Sequence, residues 1–270
     1  MFDVTTDARF RVERETLHID GLTRSYRLMQ LSDSHLNPDS PLDSEEDRQK
    51  AAHLREVWMQ HGNGIPAADN FEALVAYDKA QQADLFVFAG DMTDFPSVGT
   101  AAAGKDLYAT AGDYLYAPGN HEQAFRFPEY FRDATNGDPA LQVRDLGELR
   151  FVAVDNAAHS VPDRVMNELE TILRGDKPVI LLHHTPLDCP TLYPDAVAYW
   201  QDVTYFLFGK PGNGENVERY IRLLTQEQTQ LKAVIAGHLH LAHVDTFENG
   251  VTQLISAPCL AGYGRIIDIV

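Results

Sequence analysis

The 270-residue chain carries 40 acidic side chains against 22 basic ones, and the formal charge of −18 repels nucleic-acid polymers and anionic membrane surfaces, so neither is an expected partner. At 44% hydrophobic and 23% charged, with no low-complexity tract and no fixed-period repeat, the composition excludes disordered and fibrous classes. Two cysteines, Cys189 and Cys259, are too few for a disulfide framework and read as buried thiols.

Taken in order, the start Met1-Phe-Asp-Val-Thr-Thr-Asp7 has no basic region followed by an apolar stretch, and no apolar run is long enough to span a bilayer. A cytoplasmic location without a membrane partner is the expectation. Short apolar bursts predict buried strands at Tyr26 to Leu31, Leu85 to Ala89, Tyr114 to Ala117, Val179 to Leu182 and Ala233 to Ala236. Helical spacing falls between them at Ser44 to His61, Phe71 to Gln82, Val161 to Arg174 and Val217 to Gln228. The carboxylates of Ser44-Glu-Glu-Asp47 favour a helix start, so the acidic run from Asp43 is read as structural. Late in the chain closely spaced strands follow, Leu241 to Phe247, a turn at Glu248-Asn-Gly250, then Thr252 to Ser256 and Arg265 to Ile269.

Alternating strands and helices imply a largely parallel sheet, and the late strands an antiparallel portion. The predicted fold is therefore α/β, a four-layer αββα sandwich with two facing mixed β-sheets, built as one domain over residues 1–270. Two stretches read as insertions that wall the active site: 37–70, acidic with a helix inside it, and 188–216, rich in aromatics (Tyr193, Tyr199, Trp200, Tyr205, Phe206, Phe208). A place for these aromatics in the core or at a subunit interface is an equal expectation.

Five segments close an apolar run with metal-binding or catalytic residue types: Leu31-Ser-Asp-Ser-His35, Gly90-Asp-Met-Thr-Asp94, Gly119-Asn-His-Glu122, His183-His-Thr-Pro186 and Gly237-His-Leu-His240. Residues just past strand ends converge in one crevice although sequence scatters them. Asp33 and His35 are two apart, so persisting strand geometry would point both side chains the same way, and His238 and His240 repeat the spacing. Asp91 follows Leu-Phe-Val-Phe-Ala, where a buried carboxylate without a cation would be costly. Asn120 adds a neutral oxygen, and His121 a proton donor near neutral pH.

These motifs, in this order from Asp33 to His240, resemble those of the calcineurin-like metallophosphoesterase superfamily: Asp-x-His, Gly-Asp-x-x-Asp, Gly-Asn-His-Asp/Glu, His and Gly-His-x-His. The resemblance implies two divalent or trivalent transition-metal ions, with manganese, iron and zinc as candidates. It places Asp33, His35, Asp91 and His240 on the first and Asp91, Asn120, His184 and His238 on the second. His184 is preferred to His183 because His184-Thr-Pro186 meets the family's His-x-Pro pattern, and His183 is expected to pack beneath the site. By the same resemblance His121 donates a proton to the leaving group and Asp94 orients it, while the cation pair activates water for in-line attack on a phosphate.

The chain reads Asp94-Phe95-Pro96 where Ser/Thr protein phosphatases continue with Arg-Gly, which disfavours that subgroup. Length, the closing strand and Asp155 after Phe151-Val-Ala-Val154 look most like bacterial phosphodiesterases acting on cyclic nucleotides or glycerophosphodiesters. The implied substrate is a small phosphodiester. A phosphomonoesterase and a non-catalytic protein-binding scaffold are the alternatives, and a homo-oligomer is compatible with either. His18, His53, His61, His159 and His243, with Arg126 and Arg164, read as ordinary core or surface residues.

Overall fold

The computed structural model describes residues 4–6, 10–201, 207–210, 212 and 214–270; Tyr205 and Phe206 lie outside them. One six-stranded sheet runs in the order β1 (Val4–Thr6), β2 (Arg11–Leu17), β12 (Tyr263–Ile269), β3 (Tyr26–Leu31), β4 (Leu85–Ala89) and β5 (Tyr114–Ala117). The other runs β10 (His243–Thr246), β11 (Thr252–Ile255), β9 (Leu231–Ala236), β8 (Val179–Leu182), β7 (Leu149–Val154) and β6 (Leu141–Leu146). Both are mixed: β3, β4 and β5 are parallel, as are β7, β8 and β9, whereas β12 runs antiparallel to β3 and β10 to β11. The helices are α1 (Glu45–His61), α2 (Ala67–Gln81), α3 (Val98–Ala109), α4 (Pro128–Phe131), α5 (Asp163–Leu173), α6 (Leu192–Trp200) and α7 (Val217–Thr225).

The alternation of side chains along each strand builds the four layers. Leu85, Val87 and Ala89 of β4 meet Ile180 and Leu182 of β8 in the core between the sheets. Phe86 and Phe88, on the opposite face of β4, pack with Phe71 and Leu74 of α2 and Tyr108 of α3. On the far side Val179 and Leu181 pack with Val165 and Leu169 of α5 and Leu223 of α7. Both faces of each sheet are thus covered, which is why the central strands read as continuous apolar bursts. β2 escaped that pattern because Arg11-Val-Glu-Arg-Glu-Thr-Leu17 lies toward a sheet edge, where only Val12 and Leu17 are buried.

Ser44 caps α1 by accepting the Asp47 N–H at 3.1 Å, and Asp43 accepts the Gly99 N–H at 2.8 Å, so the acidic run does structural work. Within the aromatic stretch, Phe208 is core while Tyr199 and Trp200 remain 58% and 38% exposed. Cys189 and Cys259 are buried and free. None of the described helices is long and apolar enough to cross a membrane.

Asp78 of α2 is 1% exposed, and its Oδ1 has no hydrogen-bond partner. Burial raises its pKa to about 6, partly opposed by Arg27. A raised carboxyl pKa means that the folded state holds the proton more tightly, so stability is full below the unfolded value and is lost as pH rises through about 6. Asp78→Asn removes that cost and is expected to stabilise the protein at pH 8 by up to about 3 kcal/mol, with roughly half that gain at pH 5. Urea midpoints at the two pH values check this; a gain independent of pH would refute it.

Candidate metal centre

Asp33 and His35 follow β3, Asp91 and Asp94 follow β4, Asn120 and His121 follow β5, His184 follows β8, and His238 and His240 follow β9. The two sheets present these carboxyl-terminal strand ends at one rim, where the side chains meet. The extended geometry expected through Asp33 and His35 does not persist. The strand stops at Leu31, and Asp33, His35, Asp91, His238 and His240 have φ values of 53°, 43°, 52°, 72° and 52°. Left-handed residues curl each chain back over its strand end, a conformation that Asp and His tolerate better than β-branched residues do. The backbones lock together there: the Asp33 N–H donates to Gly90 O at 2.9 Å, that of His35 to Asp91 O at 2.9 Å, and that of His238 to Asp33 Oδ2 at 3.0 Å.

The motif glycines follow from this crowding. A Cβ on Gly90, whose φ is +88°, would lie 2.2 Å from His184 Nδ1, and one on Gly119 would lie 2.1 Å from Asp91 Oδ1. A Cβ on Gly237 would meet Asp33 Oδ2 at 2.7 Å. Glycine is the residue that lets the ligand-bearing loops approach this closely.

Two donor clusters result, Asp33 with His35 and His240, and Asp91 with His184 and His238, each with its ligand atoms within 4.8 Å of one another. Asn120 Oδ1 joins the second at 3.0 Å from His184 Nε2. Asp91 Oδ2 stands 3.2 Å from His184 Nε2 and 3.9 Å from His35 Nε2, so it faces both clusters. His183 points the other way, with Nδ1 2.9 Å from the Tyr220 hydroxyl on α7, and burial beside His184 lowers its pKa to about 3.

The chemistry of the donors calls for cations. His184 Nδ1–H donates to Ala89 O at 2.7 Å, which leaves the Nε2 lone pair aimed at Asp91 Oδ2, Asn120 Oδ1 and, at 3.1 Å, His238 Nδ1. His35 Nδ1–H donates to Asp94 Oδ1 at 2.8 Å, so its Nε2 lone pair faces His240 Nε2 at 3.4 Å, and His240 Nε2 lies 3.4 Å from Asp33 Oδ1. Lone pairs converging at these distances repel unless positive charge lies among them. Protons show the same demand: burial disfavours charge on His184, yet Asp91 overcomes it and raises the pKa to about 9, while burial and that neighbouring charge push His238 down to about 3. The residues therefore fit a metal pair.

Beside the clusters His121 Nδ1 lies 3.1 Å from Asp94 Oδ1, with Nε2 4.0 Å from Asp91 Oδ2 and the side chain 36% exposed. Burial opposes its charge, but Asp91 and the hydrogen bond to Asp94 outweigh burial and raise its pKa to about 10. Asp94 also accepts from Asn37 Nδ2 and from Trp58 Nε1, the latter at 2.6 Å. Against burial, the hydrogen bonds from His121 and His35, helped by the one from Asn37, hold its carboxyl far below the usual range. It thus joins His121 to His35.

Several supporting residues lay outside the sequence reading. Glu122, fully buried, accepts the N–H groups of Asp91, Thr93 and Gly119 and ties the second motif to the third. Asn156 Oδ1 accepts the N–H groups of His184 and Thr185. Trp58 stacks on His35 with ring centroids 4.3 Å apart. Glu122 stood inside a recognised motif and Asn156 came second after an apolar run, behind Asp155, but neither position announces which backbone groups it will bind. His61 lines a cavity near His240, whereas His243 binds Thr191 and Asp195, and Arg164 pairs with Asp138 at the surface.

The chain is similar to known proteins in sequence and in fold. A "Probable cyclic nucleotide phosphodiesterase" of Rhodococcus erythropolis is 25% identical over 247 residues, covering 86% of this chain and 70% of the relative. A dimetal phosphatase from Danio rerio superposes with a TM-score of 0.55 at 13% identity, covering 87% of this chain and 88% of the other. The protein TT1561 of Thermus thermophilus gives 0.54 at 12%, covering 88% and 91%. Purple acid phosphatase PPD1 from yellow lupin gives 0.55 at 13%, covering 93% of this chain and 46% of that one. The signature of the calcineurin-like phosphoesterases spans residues 26–242, from β3 to just beyond His240, and the chain belongs to that family.

Proposed function

We propose that this protein hydrolyses a small phosphodiester at a two-metal site in which Asp33, His35, Asp91 and His240 hold one cation and Asp91, Asn120, His184 and His238 the other. The observation that carries the reading is Asp91 Oδ2, turned toward both histidine clusters at 3.2 and 3.9 Å. When bound, the cation pair lowers the pKa of water and offsets phosphate charge. The protein's own share is positional. Asp94 holds His121 at Nδ1, which leaves Nε2 free to carry a proton toward a departing oxygen, and Trp58 and Asn37 fix Asp94 in turn. With metals beside it Asp91 raises the His121 pKa less, so His121 gives up its proton more readily than in the cation-free site.

Preference for a diester is supported by Phe95-Pro96 standing where an arginine would grip a dianionic monoester, and by an open cavity beside His240 with room for a second organic group. The name of the Rhodococcus relative points the same way. Hydrolysis of bis(p-nitrophenyl) phosphate and p-nitrophenyl phosphate with Mn²⁺ tests it. The diester is expected to be the faster substrate and a chelator to abolish turnover; a monoester preference of about tenfold or more overturns the diester assignment. Silence with every metal tried would leave the fold as a non-catalytic scaffold.

A further inference from the structure

A third group of ligand types meets where the 188–216 stretch lies against the edge strand β10. Cys189, His243 and Asp245 bring their ligand atoms within 4.8 Å of one another and share no residue with the clusters at the rim. His243 and Asp245 stand two apart on β10, so both side chains leave the same face of the sheet. Cys189 reaches them from the loop between β8 and α6. Cys189 and His243 are buried, and the Asp245 side chain is 17% exposed.

The surroundings orient each donor. His243 Nδ1–H donates to Asp195 Oδ2 of α6 at 3.1 Å, which leaves the Nε2 lone pair facing Asp245 Oδ2 at 4.0 Å. A carboxylate behind an imidazole is the arrangement that fixes the tautomer of a metal-binding histidine and raises its basicity. Asp245 Oδ2 accepts the Thr191 N–H at 2.9 Å and its hydroxyl at 2.7 Å. With that proton committed, the Thr191 oxygen turns lone pairs toward His243 Nε2, 3.1 Å away. Gln253 Nε2 donates to Cys189 Sγ at 3.6 Å, a contact that favours thiolate over thiol. Among the described residues neither Asp195 nor Asp245 has a lysine or arginine partner; His243 is the one basic group that faces each.

We propose that Cys189, His243 and Asp245 bind a single zinc ion that fastens the 188–216 stretch to β10, with Thr191 Oγ1 beside the fourth position. One thiolate, one imidazole and one carboxylate suit zinc, a borderline-soft ion that accepts all three donor types in four-coordinate geometry. Cys189 also borders a surface cavity with Pro190 and Tyr193, which gives an ion its way in. Burial and Asp245 push the thiol up to about 12, so the proton stays on sulfur until a cation displaces it. An ion that binds the folded chain alone adds stability, and here it would tie down a sheet edge.

Cobalt separates this site from the rim, because only a thiolate ligand gives Co²⁺ an intense charge-transfer band in the near ultraviolet, and the rim clusters offer nitrogen and oxygen alone. The full chain, stripped of metal with a chelator, is titrated with Co²⁺. The band is expected to saturate at about one cobalt per chain and to disappear when Zn²⁺ is added. Cys189→Ser should abolish it. Asp195→Asn changes a side chain that is 64% exposed and only orients His243, so the band should persist while cobalt binds about 10–100-fold more weakly. A parent without the band, a band that survives Cys189→Ser, or an Asp195→Asn affinity equal to the parent's overturns the proposal. The readout needs no turnover, so its failure leaves the phosphodiesterase reading standing, and an inactive protein that shows the band leaves the zinc site standing.

Discussion

Asp91→Asn is expected to cost the protein both metal ions and to slow turnover by more than about 100-fold, beyond the 10–100-fold typical when a group merely supports a ligand. The reason is position. Asp91 Oδ2 faces the histidines of both clusters, and burial leaves no water to replace it, since the residue is 2% exposed. The amide keeps the shape but removes the negative charge on which both sites draw. The amide oxygen can still accept the backbone N–H of His121, as Asp91 Oδ1 does at 3.1 Å, so the loss falls on the metals rather than on the frame. Elemental analysis of the purified variant, set beside its rate on the nitrophenyl diester, measures both effects. Metal content close to that of the parent would show that Asp91 is not the shared ligand.

His121→Ala should behave in the opposite way, with metal content near the parent's and turnover lower by about 10²–10⁴-fold, the range for a lost general acid. Its side chain stands at the edge of the clusters, 36% exposed, and the backbone N–H that binds Asp91 survives the substitution. The pH profile adds a second reading. A proton donor must hold its proton, so the rate falls as pH rises through the donor's pKa, which Asp91 and Asp94 raise to about 10 against burial when no cation offsets them. Cations beside Asp91 lower that value, so the alkaline limb should appear below about pH 10 in the parent and vanish in His121→Ala. If His121→Ala loses metal as fully as Asp91→Asn does, the proton donor has been misassigned.

The two variants separate roles that the sequence places thirty positions apart and the fold places in hydrogen-bonding contact. Asp94 makes the distinction sharper. It holds His121 and His35 at once, so Asp94 couples the proposed proton donor to a metal-ligand candidate, and its own four donors come from α1 and from the loops after β3 and β5. A defect at Asp94 should therefore combine both phenotypes.

Every candidate ligand was legible in the amino-acid order, because a carboxylate or imidazole that ends an apolar run has few inexpensive explanations besides a strand end at a cation site. The layered architecture was legible for the same reason: strands covered on both faces must be apolar throughout, and the amphipathic helices between them must lie outside. Several things depended on packing. Left-handed turns at Asp33, His35, Asp91, His238 and His240 gather the donors, where period-two geometry alone would have kept them on a sheet face. The support from Glu122, Asn37, Asn156 and Trp58 rests on which backbone or carboxyl groups come within reach, and that is set by contacts across as many as 57 positions of chain. The place of Trp200 beside His240 is likewise a product of how α6 settles against the loop after β9. Residue types report the chemistry a position can perform, since that chemistry is carried by the side chain; which side chains act together is a matter of distance, and distance is created by folding.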